Sequence, residues 1–141
     1  QKSFHITLIS PFYSNVRKEL TKMPKIYMND TGLMNFFLNS FQPIDIRNDK
    51  GAVFETAVLR ALQINRYADE IKYWRTADGK EVDFVIPESK TAFEVKYSTS
   101  SYKEKRYETF MKEYPDISFN VVSLAGSRNK EESDSFALWN L

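Results

Sequence analysis

The sequence predicts one mixed α/β domain in which helices pack on the faces of a central sheet. Three observations support this fold class. Residues 73–97 contain three short runs of aromatic and β-branched residues separated by turn signals, which is typical of a three-stranded antiparallel meander. A clear helical pattern precedes the meander at residues 51–65. A further helix and an apolar strand follow, which gives the order helix, three strands, helix, strand.

Composition limits the functional classes. The chain has 141 residues, of which 42% are hydrophobic, enough for a real core. It has no cysteine, which excludes disulfides and thiolate metal sites and favours a cytoplasmic location. No apolar run approaches the roughly 18–20 residues of a membrane span, so we expect no membrane contact. The formal net charge is only +1, so any nucleic-acid binding must depend on a local patch or on parts outside this chain.

The N-terminal region predicts short strands and a basic connector. Residues 4–9 alternate like a strand or the end of a wing-like hairpin, and residues 25–29 form a second short strand. Residues 15–25 between them are basic, with Arg17 and Lys18 among the cations. A solvated connector is the simpler interpretation, and a phosphate-contacting arm is the alternative. Because the chain does not begin with Met and its first residues already have strand character, we interpret it as a fragment of a longer protein.

Two helices are predicted before the meander. Asp30 is a plausible N-cap for a helix over residues 32–38, whose apolar residues are spaced to bury one face. The helix at residues 51–65 has a broad apolar stripe, and Glu55 lies at the edge of that stripe rather than on the polar face. Two sets of residues are therefore predicted to be buried: Leu33, Phe36 and Phe37 in the first helix, and Val53, Phe54, Ala57, Val58, Ala61, Leu62 and Ile64 in the second.

The elements after the meander are a helix and two strands. Ser101 and Glu104 have the spacing of a capping box, which predicts a helix that runs to Tyr114 and stops at the following proline. Residues 117–124 predict an apolar strand, and residues 136–139 predict a last edge strand.

The meander brings charged residues together. If Glu88 and Ser89 form a two-residue turn, counting back from it places Asp83 opposite Glu94 on the paired strand. Paired residues have Cβ atoms roughly 4.5–5.5 Å apart, and like charges at that distance are destabilising. Lys96 lies two residues beyond Glu94 and shares its face of the strand. This arrangement needs a compensating charge, and a divalent cation bound by oxygen ligands is the obvious candidate.

These residue types suit metal-assisted hydrolysis of phosphodiesters. Asp83 and Glu94 would hold the ion, with the Val95 backbone carbonyl and Glu55 as further ligands. Lys96 would orient or deprotonate the attacking water, or stabilise the developing negative charge. Oxygen ligands without cysteine or a nearby histidine favour Mg²⁺ or Mn²⁺ over zinc. The alternative is an ordinary amphipathic strand whose charged residues face water.

The set Glu55, Asp83 and Glu94-x-Lys96 resembles that of the PD-(D/E)xK nuclease superfamily. The resemblance implies a restriction-endonuclease-like core and a catalytic role for these four residues. This sequence has Val82 where the motif has its proline, a common departure that keeps the aspartate.

A closer resemblance covers most of the chain. Residues 25–33, 51–55, 73–76, 80–84 and 93–96 resemble the C-terminal domain of bacterial and archaeal AAA+-like P-loop ATPases, catalogued as domain of unknown function 4143. It implies that residues 1–30 end a winged-helix-like region and that residues 31–141 form the nuclease-like domain. It also implies an N-terminal ATPase partner in the full-length protein. The chain has no Gly-x-x-x-x-Gly-Lys-Ser/Thr loop, so we predict no ATP site within it.

Three functions follow as hypotheses. The first is a metal-dependent nuclease acting on DNA, the second an inactive nuclease-like fold that binds DNA or a partner protein, and the third a structural or oligomerising domain.

Arg75 and Thr76, at the end of a strand close to Asp83, are weaker candidates for phosphate contact. Lys80 and Glu81 flank a turn and are predicted to face solvent.

Overall fold

A computed structural model describes residues 5–13, 23–125 and 135–136. In these residues seven strands form one mixed sheet in the order β2-β1-β3-β4-β5-β6-β7. The strands are β1 Ile6–Pro11, β2 Lys25–Met28, β3 Lys72–Arg75, β4 Glu81–Ile86, β5 Thr91–Ser98, β6 Ser118–Ala125 and β7 Ser135–Phe136. The α-helices are α1 Thr31–Leu38, α2 Lys50–Leu62 and α3 Glu108–Glu113. None of the helices in the described part of the chain is both long and apolar enough to cross a membrane.

The predicted meander is confirmed as β3, β4 and β5, which pair antiparallel in sequence order. The turn between β4 and β5 closes through a hydrogen bond from the Lys90 N–H to the Pro87 carbonyl at 3.2 Å. The predicted register is also found, since Phe84 pairs with Phe93. β5 then pairs parallel with β6, and β1 pairs parallel with β3, which makes the sheet mixed. The order of α2, meander, α3 and β6 is therefore as the sequence predicted.

Apolar layers form on both faces of the sheet. The α2 layer contains Phe54, Val58, Leu59 and Leu62 packed on sheet residues such as Phe84. The α3 layer contains Phe110 and Tyr107 packed on Trp74, Val82 and Ala92. Burying a large apolar side chain contributes about 1.5–3 kcal/mol, so the two layers hold the strands in place. Charged groups inserted between these layers are consequently held in a poorly solvated environment.

Several predicted details are wrong. None of the residues of α1 is buried, and Phe36 and Phe37 are each 67% exposed. The spacing of apolar residues shows which side chains share a helix face, but not whether another layer covers that face. Ile64 is exposed because α2 ends at Leu62.

The helix after the meander also differs from the prediction. Ser101 ends a short 3₁₀ turn instead of capping a helix, and Glu104 begins a second 3₁₀ turn. α3 itself begins only at Glu108. The side chain of Ser98 accepts the N–H of Ser100, so a local side-chain to backbone bond is made before a longer helix can start. The last edge strand is present at Ser135–Phe136, and residues 137–139 lie outside the described residues.

We expect Asp30→Ala to destabilise the protein by about 1 kcal/mol. The Asp30 carboxylate accepts the N–H of Leu33 at 2.8 Å, which satisfies one of the free donors at the start of α1. Urea unfolding followed by circular dichroism measures the loss. Asp69→Ala removes an exposed carboxylate from a 3₁₀ turn and is expected to change stability by less than about 0.5 kcal/mol. Equal losses in the two variants would contradict a capping role.

Candidate functional site

The candidate site lies where β4 and β5 separate. Their ladder runs from Ile86 paired with Thr91 to Phe84 paired with Phe93 and does not extend beyond that pair. The next position on each strand is Asp83 on β4 and Glu94 on β5. β5 continues to Ser98, paired only with β6 on its other side. The sheet is therefore split beyond this point, and two carboxylates lie at the start of the split.

A β-bulge orients Asp83. Against β3, Lys72 pairs with Val85 and Trp74 pairs with Val82, so two residues of β4 oppose the single residue Tyr73. Those two residues are Asp83 and Phe84. A bulge of this kind changes the direction of side chains locally and interrupts the regular alternation of faces. It brings the Asp83 side chain towards the split instead of leaving it on a regular polar face.

The Asp83 carboxylate takes the place of a backbone acceptor. Its Oδ2 accepts the Val95 N–H at 2.9 Å, at the point where the β4 backbone has moved away. In an extended strand the N–H and C=O of one residue point to the same edge, so the Val95 carbonyl also points towards β4. Only 7% of Asp83 is exposed. Asp83 is thus fixed by the main chain that it faces, and the split has a polar lining.

Glu94 is buried more deeply, with 3% of its surface exposed. Its Oε1 accepts the hydroxyl of Tyr107 at 2.8 Å and is ion-paired with the Lys96 ammonium. Its Oε2 is buried and has no hydrogen-bond partner. Leaving a buried carboxylate oxygen unsatisfied is costly, so this atom marks a position where a ligand would be bound favourably.

Burial and like charge raise the pKa of both carboxyls. The pKa of Asp83 rises to about 8, mainly because of burial and then because of the charges of Glu94 and Glu55. Lys25 and the Val95 N–H oppose this rise. Burial also raises the pKa of Glu94, against the lowering effect of Lys96 and Tyr107. The site therefore favours either a shared proton or an added cation.

Lys25 supplies a cation from the chain itself. Its Nζ lies 3.0 Å from Glu55 Oε1 and 3.4 Å from Asp83 Oδ1, and it is ion-paired with Glu81. The hydroxyl of Tyr27 donates to the same Oε1 of Glu55. These contacts join the start of β2, the middle of α2 and the start of β4 into one network.

The structure places the predicted site residues in two connected groups. Glu94, Lys96 and Tyr107 form one group, and Glu55 joins Asp83 through Lys25 in the other. The repulsion between Asp83 and Glu94 links the two groups electrostatically.

The weaker candidates are placed as follows. The guanidinium of Arg75 is ion-paired with Glu81, while about half of its side chain stays exposed. The Thr76 hydroxyl accepts the Lys80 N–H at 3.0 Å and closes the turn between β3 and β4. Arg17 and Lys18 lie outside the described residues.

Sequence reasoning missed Lys25, Tyr27, Glu81 and Tyr107. Glu81 was expected to face solvent, but its side chain is only 20% exposed and is ion-paired with both Lys25 and Arg75. The alternation of β4 contained a usable signal, because Glu81 and Asp83 are two residues apart and tend to share a face. The other three residues reach the site only through tertiary packing.

The donor set fits a hard divalent cation with few protein ligands. Within residues 5–13, 23–125 and 135–136, no three carboxylate, histidine or cysteine side chains are grouped so that they could hold a metal ion. Asp83 and Glu94 remain as a pair, with the Val95 carbonyl directed to the same edge. Mg²⁺ commonly uses one or two carboxylates and completes its shell with water and substrate phosphates. The unsatisfied Oε2 of Glu94 supports this fit.

Comparisons with known proteins place the chain among uncharacterised relatives. Residues 50–141 match a family described as a domain of unknown function, DUF4143, and residues 1–43 match another domain of unknown function, DUF8612. Two mycobacterial relatives, Uncharacterized protein Mb2031c of Mycobacterium bovis and Uncharacterized protein Rv2008c of Mycobacterium tuberculosis, are each 34% identical over 80 residues. Those residues are 55% of this chain but only 18% of each relative, so the match spans less than a fifth of their length. No solved structure gives a significant match.

Proposed function

The chain belongs to the DUF4143 family of domains of unknown function, and we propose that it is a nuclease-type domain for Mg²⁺- or Mn²⁺-dependent hydrolysis of phosphodiester bonds in DNA. The observation that carries the proposal is the split between β4 and β5, with Asp83 and Glu94 at its start and one buried oxygen of Glu94 unsatisfied. The proposal includes a restriction-endonuclease-like core, for which α2, the meander, α3 and β6 have the expected order.

Asp83, Glu94 and the Val95 carbonyl would hold the ion. When bound, the ion would polarise a phosphodiester oxygen and increase the acidity of a coordinated water. The protein's part is to keep both carboxylates in place before the ion arrives. The Val95 N–H does this for Asp83, and the Tyr107 hydroxyl does it for Glu94. Such outer partners orient ligands and normally matter nearly as much as the ligands.

Lys96 would act on the phosphate. Its ammonium is anchored to Glu94, yet 22% of its side chain is exposed, so it can be reached from solvent. An ammonium held at the edge of the carboxylate pair can donate hydrogen bonds to the negative charge that develops on the phosphoryl oxygens. It can also orient the attacking water. Glu55 is bound by Lys25 and Tyr27, and in this proposal it shapes the electrostatic field around Asp83.

The second candidate function is an accessory binding module without hydrolysis. The low net charge of +1 and the occupation of three carboxylates by Lys25 favour it. In this case the domain would contact DNA or an N-terminal ATPase domain of the same full-length protein, and it could form homo-oligomers. For both candidates we propose a cytoplasmic location. Hydrolysis remains the leading proposal, because a bound metal ion would satisfy the buried oxygen of Glu94 and a simple binding surface would not.

Calorimetric titration with Mn²⁺ tests the metal site. We expect the wild-type protein to bind Mn²⁺ and Glu94→Gln to bind it at least 10-fold more weakly, because the variant lacks one ligand charge. Glu88→Gln is the matched control, since it removes the same charge from the exposed turn of the same hairpin. Cleavage of single- and double-stranded DNA substrates is then measured with the same three proteins. Equal Mn²⁺ affinity in all three, or no binding by any, would contradict the proposed site.

A further inference from the structure

The Lys25 ammonium lies among three carboxylates that belong to three different positions of the fold. Glu55 comes from α2, and Glu81 and Asp83 come from the first half of β4. All three are within ion-pairing distance of the same Nζ, and the Lys25 side chain is only 17% exposed. One ammonium is therefore shared by three carboxyl groups in a partly buried site.

The surroundings of Lys25 also suit a cation. Its Nζ lies 5.8 Å from the ring centroid of Tyr27 and 5.7 Å from that of Tyr73. Aromatic faces at this distance attract cations. The Tyr73 hydroxyl donates to the Met23 carbonyl at 2.6 Å, which ties this ring to the segment just before β2. The position of Lys25 is thus built from charges, rings and backbone contacts, and is not an incidental surface ion pair.

Each of the two carboxylate oxygens of Asp83 has a different donor. Oδ2 accepts the Val95 N–H, and Oδ1 faces the Lys25 ammonium. Because the main-chain bond holds Oδ2, Oδ1 is the oxygen at which a divalent cation would compete with the ammonium. Mg²⁺ binds carboxylate oxygens at about 2.0–2.1 Å. A divalent ion at that distance and an ammonium 3.4 Å from the same oxygen would repel each other strongly.

We propose that Lys25 is a built-in competitor for the divalent cation: it holds Glu55, Glu81 and Asp83 together in the metal-free protein and leaves Asp83 when the cation binds. The inference rests on the proposed function, because it concerns the same metal site. It makes metal binding a replacement of one cation by another.

Mn²⁺ titration of Lys25→Met tests the competition. Methionine keeps most of the length of the side chain and removes the charge, so we expect Mn²⁺ affinity at least 10-fold higher than in the wild type. Lys112→Met is the matched control, because it removes the same charge from an exposed helix position where Lys112 pairs with Glu108. We expect this control to bind Mn²⁺ within about 2-fold of the wild type, as a distant exposed charge is screened. Affinity in Lys25→Met equal to or below that of the wild type would overturn the inference.

A second measurement needs no variant. Nitrogen NMR of the lysine ammonium groups in the wild-type protein is recorded during Mg²⁺ titration, with the Lys25 signal assigned through its contacts with the Tyr27 and Tyr73 rings. A buried, ion-paired ammonium exchanges its protons slowly, so its signal is visible. We expect this signal to shift or disappear as Mg²⁺ saturates the protein. A signal unchanged at saturation would contradict the displacement of Lys25, even if Lys25→Met fails to fold.

The outcomes separate this inference from the proposed function. If Glu94→Gln binds Mn²⁺ more weakly than the wild type, but Lys25→Met does not bind it more tightly, the metal site stands and the competition is wrong. If Lys25→Met gains Mn²⁺ binding that depends on Asp83 but not on Glu94, and no DNA is cleaved, the competition stands and the nuclease proposal is wrong. If neither protein binds Mn²⁺, both are wrong.

Discussion

Lys96→Met is expected to lower the rate of metal-dependent DNA hydrolysis by at least about 100-fold, the usual effect of removing one preorganised donor to a developing negative charge. The ammonium is ion-paired with Glu94 and partly exposed beside the split, so it is the proposed site's donor to the phosphate. Removing it also takes a positive charge away from Glu94. Mn²⁺ affinity should therefore stay the same or increase, while the rate falls.

Single-turnover cleavage of DNA at saturating Mn²⁺ measures this rate, and calorimetry measures the Mn²⁺ affinity of the same samples. Lys105→Met removes an equal charge from an exposed residue of a 3₁₀ turn and is the control for net charge. A rate within about 3-fold of the wild type would exclude Lys96 from the chemistry. A combined loss of rate and Mn²⁺ affinity would instead assign Lys96 to maintaining Glu94, and not to the phosphate.

The sequence was sufficient for the register of the β4–β5 hairpin, although the ladder ends one pair before Asp83 and Glu94. A two-residue turn at Glu88 and Ser89 determines the register of a hairpin, because side chains alternate with a period of two. Counting back from that turn gave the register that the structure has, with Phe84 opposite Phe93. The sequence did not predict that the ladder ends there. The bulge in β4 and the separation of the strands depend on how β3 and β6 pair on the two sides, which is non-local.

Lys25 shows what local patterns could not predict. In the sequence it ends a basic segment, and its charge suggested a solvated connector. In the structure, β1 pairs antiparallel with β2 and parallel with β3, and β3 in turn pairs with β4. With this strand order, the Lys25 side chain at the start of β2 contacts Asp83 on β4. Lys25 and Asp83 are 58 positions apart in the chain. No helical or strand periodicity relates residues at that separation, and only the strand order of the sheet brings them together.

The burial of Asp83 predicts an unusual dependence of stability on pH. The free energy of unfolding of the wild-type protein is expected to contain a component that falls as pH rises from about 4 to about 8. The folded-state pKa of Asp83 is about 8, raised by burial and by Glu94 and Glu55, while its ordinary value is 3.8. Between these two values the folded carboxyl retains a proton that the unfolded carboxyl has lost, so increasing pH favours unfolding.

Asp83→Asn isolates this component, because the amide does not titrate and its oxygen can still accept the Val95 N–H. One pKa unit corresponds to about 1.4 kcal/mol, so the wild type should lose at least that much more stability than the variant over the window. The pKa of the Glu94 carboxyl is also raised. Because Glu94 interacts with Asp83, the difference between the two proteins includes the effect of Asp83→Asn on Glu94.

Urea unfolding without metal, at several pH values between about 4 and about 9, measures the difference. Asp69→Asn, which changes an exposed carboxylate, should follow the wild-type curve. The opposite result, a wild type that gains stability relative to Asp83→Asn as pH rises, would mean that Lys25 and the Val95 N–H outweigh burial at Asp83. The carboxylate would then be fully charged at neutral pH without a metal ion. In that case Lys25 and the Val95 N–H would already compensate the charge of Asp83, and its repulsion with Glu94 would no longer require a cation in the split.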